Sequence, residues 1–93
     1  MNIAIIGGGA AGYFSAINAK ENHPKANVII YEKSNKVLSK VKISGGGRCN
    51  VTNGCSSINE LQKAYPRGGK KLKQIFKEFN TVDTIRWFES RHV

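Results

Sequence analysis

Residues 2–12 read Asn2-Ile3-Ala4-Ile5-Ile6-Gly7-Gly8-Gly9-Ala10-Ala11-Gly12, and this stretch decides the fold. Within residues 2–6, the run Ile3 to Ile6 is continuously apolar and rich in β-branched side chains, the pattern of a central strand in a parallel sheet buried on both faces. Gly7, Gly9 and Gly12 follow at once with the spacing G-x-G-x-x-G. From Ala10 to Glu21 the chain predicts a helix, with Ala10, Phe14 and Ile17 at i, i+4 and i+7, able to face the sheet. His23-Pro24 stop it, because the residue before a proline disfavours helical geometry. Residues 27–32 are a second apolar run. Strand, helix and strand within about 30 residues make one βαβ unit, expected to be right-handed.

The glycine spacing carries chemistry because of where it falls. Gly7 permits the tight turn out of the strand, and Gly9 lets the backbone approach a pyrophosphate. Gly12 lets the helix pack hard on the strand. The unpaired N–H groups and positive dipole end of the helix then receive phosphates. Glu32 lies 20 residues after Gly12, at the end of the second strand. A carboxylate there accepts hydrogen bonds from an adenosine ribose and repels a 2′-phosphate, which favours FAD or NAD over NADP. Neither glycine run leads into Gly-Lys-Ser/Thr, so a P-loop is excluded. The rival readings are a glycine-rich turn without a ligand, and for Glu32 an ordinary surface carboxylate.

Residues 33–57 read as loop, and within them stands Ser44-Gly45-Gly46-Gly47-Arg48-Cys49-Asn50-Val51-Thr52-Asn53. An NAD-binding βαβ unit has no need of this segment. A flavin cofactor is longer, and its far half requires a cradle of its own. Consecutive glycines bring backbone N–H groups to phosphate or flavin oxygens. Arg48 supplies charge and a planar fork, while Ser44, Asn50, Thr52 and Asn53 supply neutral hydrogen bonds for a flavin ring edge. Ala10 and Lys40 complete the candidate cofactor-binding set.

IIGGGAAG at 5–12, YEK at 31–33 and SGGGRCNVTN at 44–53 resemble a bacterial family of NAD(P)/FAD-dependent oxidoreductases. That family includes aminoacetone-oxidase-like and bile-acid-reductase-like members. The resemblance covers essentially all 93 residues. It implies a flavoprotein of the two-dinucleotide-binding-domain type with an inserted substrate domain. It implies FAD contacts at Gly7, Gly9, Ala11, Gly12, Glu32, Lys33, Ser44 to Asn50, Thr52 and Asn53. Family members run to several hundred residues, so 1–93 is expected to be the N-terminal part of a truncated FAD domain. The substrate site, and a small-molecule substrate with it, would then lie outside this chain. NAD(P)H is the candidate electron donor to the parent enzyme.

Composition sets the remaining bounds. The net charge is +9, and the excess lies wholly in residues 33–73, where ten cations face Glu60 alone. A basic middle suits an anionic ligand such as a diphosphate, or a solvated surface. A nucleic-acid reading ranks third, because aromatics are not interleaved with Arg67-Gly68-Gly69-Lys70-Lys71. Cys49 and Cys55 are separated by five residues, one more than in the redox pair of flavin disulfide reductases. No zinc-ligand spacing, signal peptide or run of about 18 apolar residues is present, so a cytoplasmic protein with no membrane partner is expected.

After the loop, helices are predicted from Ile58 to Ala64, across Leu72, Ile75, Phe76 and Phe79, and from Thr81 as N-cap with a Val82/Ile85/Phe88 stripe. Trp87 falls off that stripe and is expected to meet residues beyond the chain. The expected organisation is thus a Rossmann-like α/β βαβ unit (1–32), a second cofactor loop (33–57) and a helical segment (58–93). The expected role is the FAD-binding segment of an oxidoreductase. The alternative is a non-catalytic, truncated cofactor-binding module.

Overall fold

The structure is a computed structural model that describes residues 1–47 and 50–93. It comprises two units, Met1–Asn50 and Val51–Val93. In the first, β1 (Asn2–Ile6) and β2 (Asn27–Tyr31) pair in parallel, joined through helix α1 (Ala10–Asn22). Ile3 lies opposite Val28, Ile5 opposite Ile30 and Ile6 opposite Tyr31. The α/β reading of the sequence therefore holds: this is the βαβ start of a Rossmann fold.

Burial within the sheet departs from expectation. Apolar runs without alternation predict strands covered on both faces, yet the two strands alternate between half-buried and exposed residues. Ile3, Ile5, Val28 and Ile30 are half-buried. Ile6, Ile29 and Tyr31 are exposed, Ile6 at 83%. The reason is geometric, since one helix covers one face.

The sheet-facing side of α1 also differs from the predicted stripe. Ala10 is exposed, and Phe14 and Ile17 remain 37% and 40% exposed. The half-buried positions are Gly12, Tyr13, Ala16, Asn18 and Ala19. A Cβ built on Gly12 would stand 3.6 Å from Ile5 Cγ2, so the helix lies on β1 at the closeness that small residues permit. The helix ends as its sequence predicts. His23 N–H donates to Ala19 O at 2.9 Å and Ala26 N–H to His23 O at 2.9 Å. Ala26 is buried, and its carbonyl accepts from Lys20 Nζ at 2.7 Å, which fixes the turn into β2.

Part of the stretch read as loop is ordered. A short helix α2 (Ser39–Ile43) runs into a 3₁₀ turn, Ser44–Gly47. Leu38 precedes α2 in the left-handed region, φ 54°. A β-carbon makes that region costly by about 1–2 kcal/mol, so the surroundings must hold Leu38 there.

The second unit is helical: α3 (Ile58–Lys63), α4 (Gly69–Glu78) and α5 (Thr81–Glu89). Ser57 Oγ accepts from Glu60 N–H and caps α3, whose Leu61 is buried. Gly69 lets α4 approach α3 closely, because a Cβ there would lie 2.8 Å from Gln62 O. The Tyr65 and Phe76 rings meet at 5.8 Å. Of the predicted α4 stripe, Leu72, Phe76 and Phe79 are half-buried, whereas Ile75 stays 57% exposed.

One expectation for α5 needs correction. Its cap is Asn80 rather than Thr81. Asn80 Oδ1 accepts from the N–H groups of Val82 (3.0 Å) and Asp83 (3.1 Å), and Asp83 Oδ2 accepts from Asn80 N–H at 2.9 Å. This is a reciprocal capping box. Thr81 is instead buried, its hydroxyl donating to Cys55 O at 2.6 Å. Trp87 is half-buried, with the Arg91 guanidinium 3.9 Å from its ring and Phe88 edge-on. No helix among the described residues is long and apolar enough to cross a membrane.

Asn80→Ala removes the acceptor for two N–H groups at the start of α5. It should lower stability by about 1 kcal/mol. A urea titration followed by far-ultraviolet circular dichroism measures it, and Asn80→Asp should keep most of the stability.

Candidate functional site

The site grows from the end of β1. Gly7 N–H donates to Tyr31 O at 2.8 Å, extending the ladder by one bond. Gly7 then turns the chain at φ 105°, a conformation that disfavours any side chain. Gly12 sits one helical turn further on, where a Cβ would overlap the Gly7 carbonyl oxygen. Gly9 differs from both. Its φ of −92° suits any residue, and a Cβ there would meet nothing within 4 Å. Backbone conformation accounts for Gly7 and packing for Gly12, while neither accounts for Gly9.

Gly9 is also the N-cap of α1, and it offers no side chain to the helix. No acidic residue occupies the first turn. The N–H groups at that end, with the positive end of the helix dipole, are therefore presented without a side-chain acceptor. Ala10 and Ala11 are exposed in this turn.

Glu32 follows β2 immediately. Its Oε1 accepts from Gly8 N–H at 2.9 Å and its Oε2 from Ser34 N–H at 2.8 Å. These bonds hold its carboxyl below the ordinary glutamate value, the Gly8 N–H contributing most, with the positive Lys33 nearby adding a smaller effect. Glu32 is thus a carboxylate bonded to the glycine turn itself.

Gly8 is the residue that sequence reasoning missed. The fingerprint leaves this position free, yet Gly8 is buried between two segments. Leu38 N–H donates to Gly8 O at 2.8 Å, so both of its backbone groups are engaged. A Cβ there would press on Val37 Cγ1 at 3.1 Å and Glu32 Cβ at 3.2 Å. The signal was present in the sequence as a third glycine, with no spacing rule to read it.

A cavity of about 340 Å³ opens on this turn. It gathers four of the predicted site residues, Gly9, Ala10, Glu32 and Lys40, and adds Ser34 and Lys36. A helix N-terminus, two ammonium groups and one carboxylate thus share one concave surface. Such a surface offers positive potential to phosphates and a localised acceptor to hydroxyls.

The second predicted loop divides. Ser44 opens the 3₁₀ turn and donates its hydroxyl hydrogen to Val41 O at 2.9 Å, closing the end of α2. Gly45, Gly46 and Gly47 complete the turn, with Gly46 at φ 64°, where glycine is favoured. Asn50 is exposed. Thr52 and Asn53 belong to the second unit, where Asn53 Oδ1 accepts from Cys55 N–H at 2.8 Å in a local turn. Arg48 and Cys49 lie outside the described residues, and the expected roles of both with them. Cys55 is a free thiol.

Comparison with known proteins agrees with the Rossmann fold. The chain matches the HI0933-like protein Rossmann domain over residues 1–93, and it belongs to that family. It is 33% identical over 88 residues to a 3-dehydro-bile acid delta(4,6)-reductase of Clostridium scindens. That alignment covers 95% of this chain and 21% of the relative, so the chain spans about a fifth of that protein's length. No solved structure matches the chain.

The lowered pKa of Glu32 fixes the sign of an acid effect. Its contribution to stability is complete above the ordinary carboxylate value of 4.5 and is lost as the pH falls through the lower native value. Stability of the first unit should decline below about pH 4.5, and Glu32→Gln should flatten that part of the profile. Urea midpoints between about pH 7 and about pH 2.5, which spans the carboxylate range, measure the difference.

Proposed function

We propose that this chain is the FAD-binding segment of a flavin-dependent oxidoreductase. The observation that carries this reading is the contrast among the fingerprint glycines. At Gly9 alone, neither φ nor packing calls for glycine, and the position lies at the bare N-terminus of α1. A phosphate approaching that turn explains the missing side chain. The rest of the cavity supports the assignment. Lys36 and Lys40 complement a diphosphate, and Glu32 at the end of β2 stands where an adenosine ribose is bound in this fold.

The residues fit FAD in a specific division of tasks. The first turn of α1 and the two lysines would hold the diphosphate. Glu32 would accept the ribose hydroxyls and exclude a ribose 2′-phosphate by charge. Ser44 to Asn50, with Thr52 and Asn53, would serve the flavin half, as the resemblance implies. When bound, FAD supplies hydride transfer, and the protein supplies orientation and electrostatics. The relative's name describes a reductase. We carry over the reaction class, reduction, and leave its bile acid with that protein; NAD(P)H as electron donor is what the family resemblance implies. A small-molecule substrate would be handled by parts of the protein outside 1–93.

The alternative, a non-catalytic cofactor-binding module, shares the same site and differs in turnover. Both readings are tested by the visible spectrum of the purified protein after mixing with FAD and desalting. Retention of the flavin band is expected. Oxidation of NAD(P)H by the loaded protein would separate the enzyme from the module. Gly9→Val should fold, because a Cβ at this position meets no protein atom within 4 Å, and should weaken FAD binding by roughly a hundredfold. A folded Gly9→Val protein that stays yellow would remove the site assignment.

A further inference from the structure

We infer that Glu32 acts on the phosphate-binding turn as well as on the ribose: it is a positioning residue that holds Gly8, and through Gly8 the N–H groups of the turn. The inference rests on the dinucleotide reading above and deepens it, because it makes ribose and diphosphate recognition a single coupled unit.

The argument begins with acceptor capacity. An ionised carboxylate offers about four lone-pair sites. In Glu32 one is taken by Gly8 N–H at 2.9 Å and one by Ser34 N–H at 2.8 Å. The capacity left matches the two hydroxyls of a ribose, so Glu32 can meet the sugar without releasing the turn. A carboxylate that served the sugar alone would have no reason to bond the glycine run.

Gly8 is gripped from three directions. Its N–H is held by Glu32, its carbonyl by Leu38 N–H at 2.8 Å, and its Cα is hemmed in by Val37 and Glu32. The next residue, Gly9, has no protein atom near its side-chain position. The peptide linking Gly8 to Gly9 is therefore held at one end by Glu32 and Leu38 and at the other by α1, through the Tyr13 N–H bond to Gly9 O at 3.0 Å. Glu32 and Leu38 are the contacts from outside the helix that orient it, and with it the N–H groups that begin α1. Leu38 adopts its left-handed conformation at this contact, φ 54°. Strain of that kind persists where surrounding contacts over-determine the backbone, and the Gly8 carbonyl is one of those contacts.

The experiment separates the two roles of Glu32 by removing the hydroxyls from the ligand. Binding of ADP and of 2′,3′-dideoxy-ADP is measured by calorimetry on the unmutated protein and on Glu32→Ala. A residue that meets only the ribose would leave dideoxy-ADP affinity unchanged in Glu32→Ala, and that result would overturn the inference. The expected result is a loss of about tenfold for dideoxy-ADP, the scale of one lost charge-assisted hydrogen bond, with a larger loss for ADP. A second measurement needs neither variant nor ligand. In an acid titration of the unmutated protein followed by nuclear magnetic resonance, the Gly8 and Ser34 amide protons should shift together with one midpoint. A Gly8 amide that stays still while Ser34 moves would also overturn the inference. Failure of the unmutated protein to bind ADP would instead overturn the dinucleotide reading, and the Gly8 titration would still decide whether Glu32 holds the turn.

Discussion

The site depends on the register of one short parallel strand pair. Ile6 stands opposite Tyr31, so the residues that leave the sheet next, Gly7 and Glu32, leave it side by side. The Gly7 N–H bond to Tyr31 O confirms that the ladder runs to its last rung. A slip of one residue would turn every side chain of a strand to the opposite face. It would carry Glu32 away from Gly8 and leave the glycine turn without its acceptor. The alternation of covered and open residues along both strands shows what resists such a slip. Ile3, Ile5, Val28 and Ile30 must stay under α1.

The glycines translate that register into a surface. One supplies a backbone conformation, one a close helix contact, and one is enclosed between Glu32 and Val37. The fourth, at position 9, combines an ordinary φ with open space at its side-chain position. The chemistry of the cavity follows from neighbours that the turn gathers, namely an uncapped helix end, Lys36 and Lys40, and a carboxylate kept ionised by backbone N–H donors.

Much of this was legible in the sequence because the signals were local and periodic. The strand–helix–strand order, the glycine turn and the place of Glu32 at the end of the second strand were readable from spacing alone. What escaped was set by contacts between distant segments. Helix α2 has only five residues, too few for a periodic stripe, and begins after Leu38, which has no capping side chain. Gly8 looks redundant until Leu38 and Glu32 are seen to meet it. The α1 face was misjudged because hydrophobic size was taken as the guide, whereas a helix pressed against a strand selects small residues such as Gly12 and Ala16. At α5, Asn80 and Thr81 are both good capping types, and only the reciprocal bond from Asp83 decides between them.

The difference between Gly9 and its neighbours has a consequence for how such sequences drift. Glycines 7, 8 and 12 answer to the polypeptide itself, and a lineage must keep them to keep the fold. On the proposed reading, glycine 9 answers instead to the ligand. In a descendant that had given up its dinucleotide, position 9 would be released from selection while the other three stayed fixed. A single column of an alignment would then distinguish the Rossmann units that still hold a cofactor from those that have retained only its architecture.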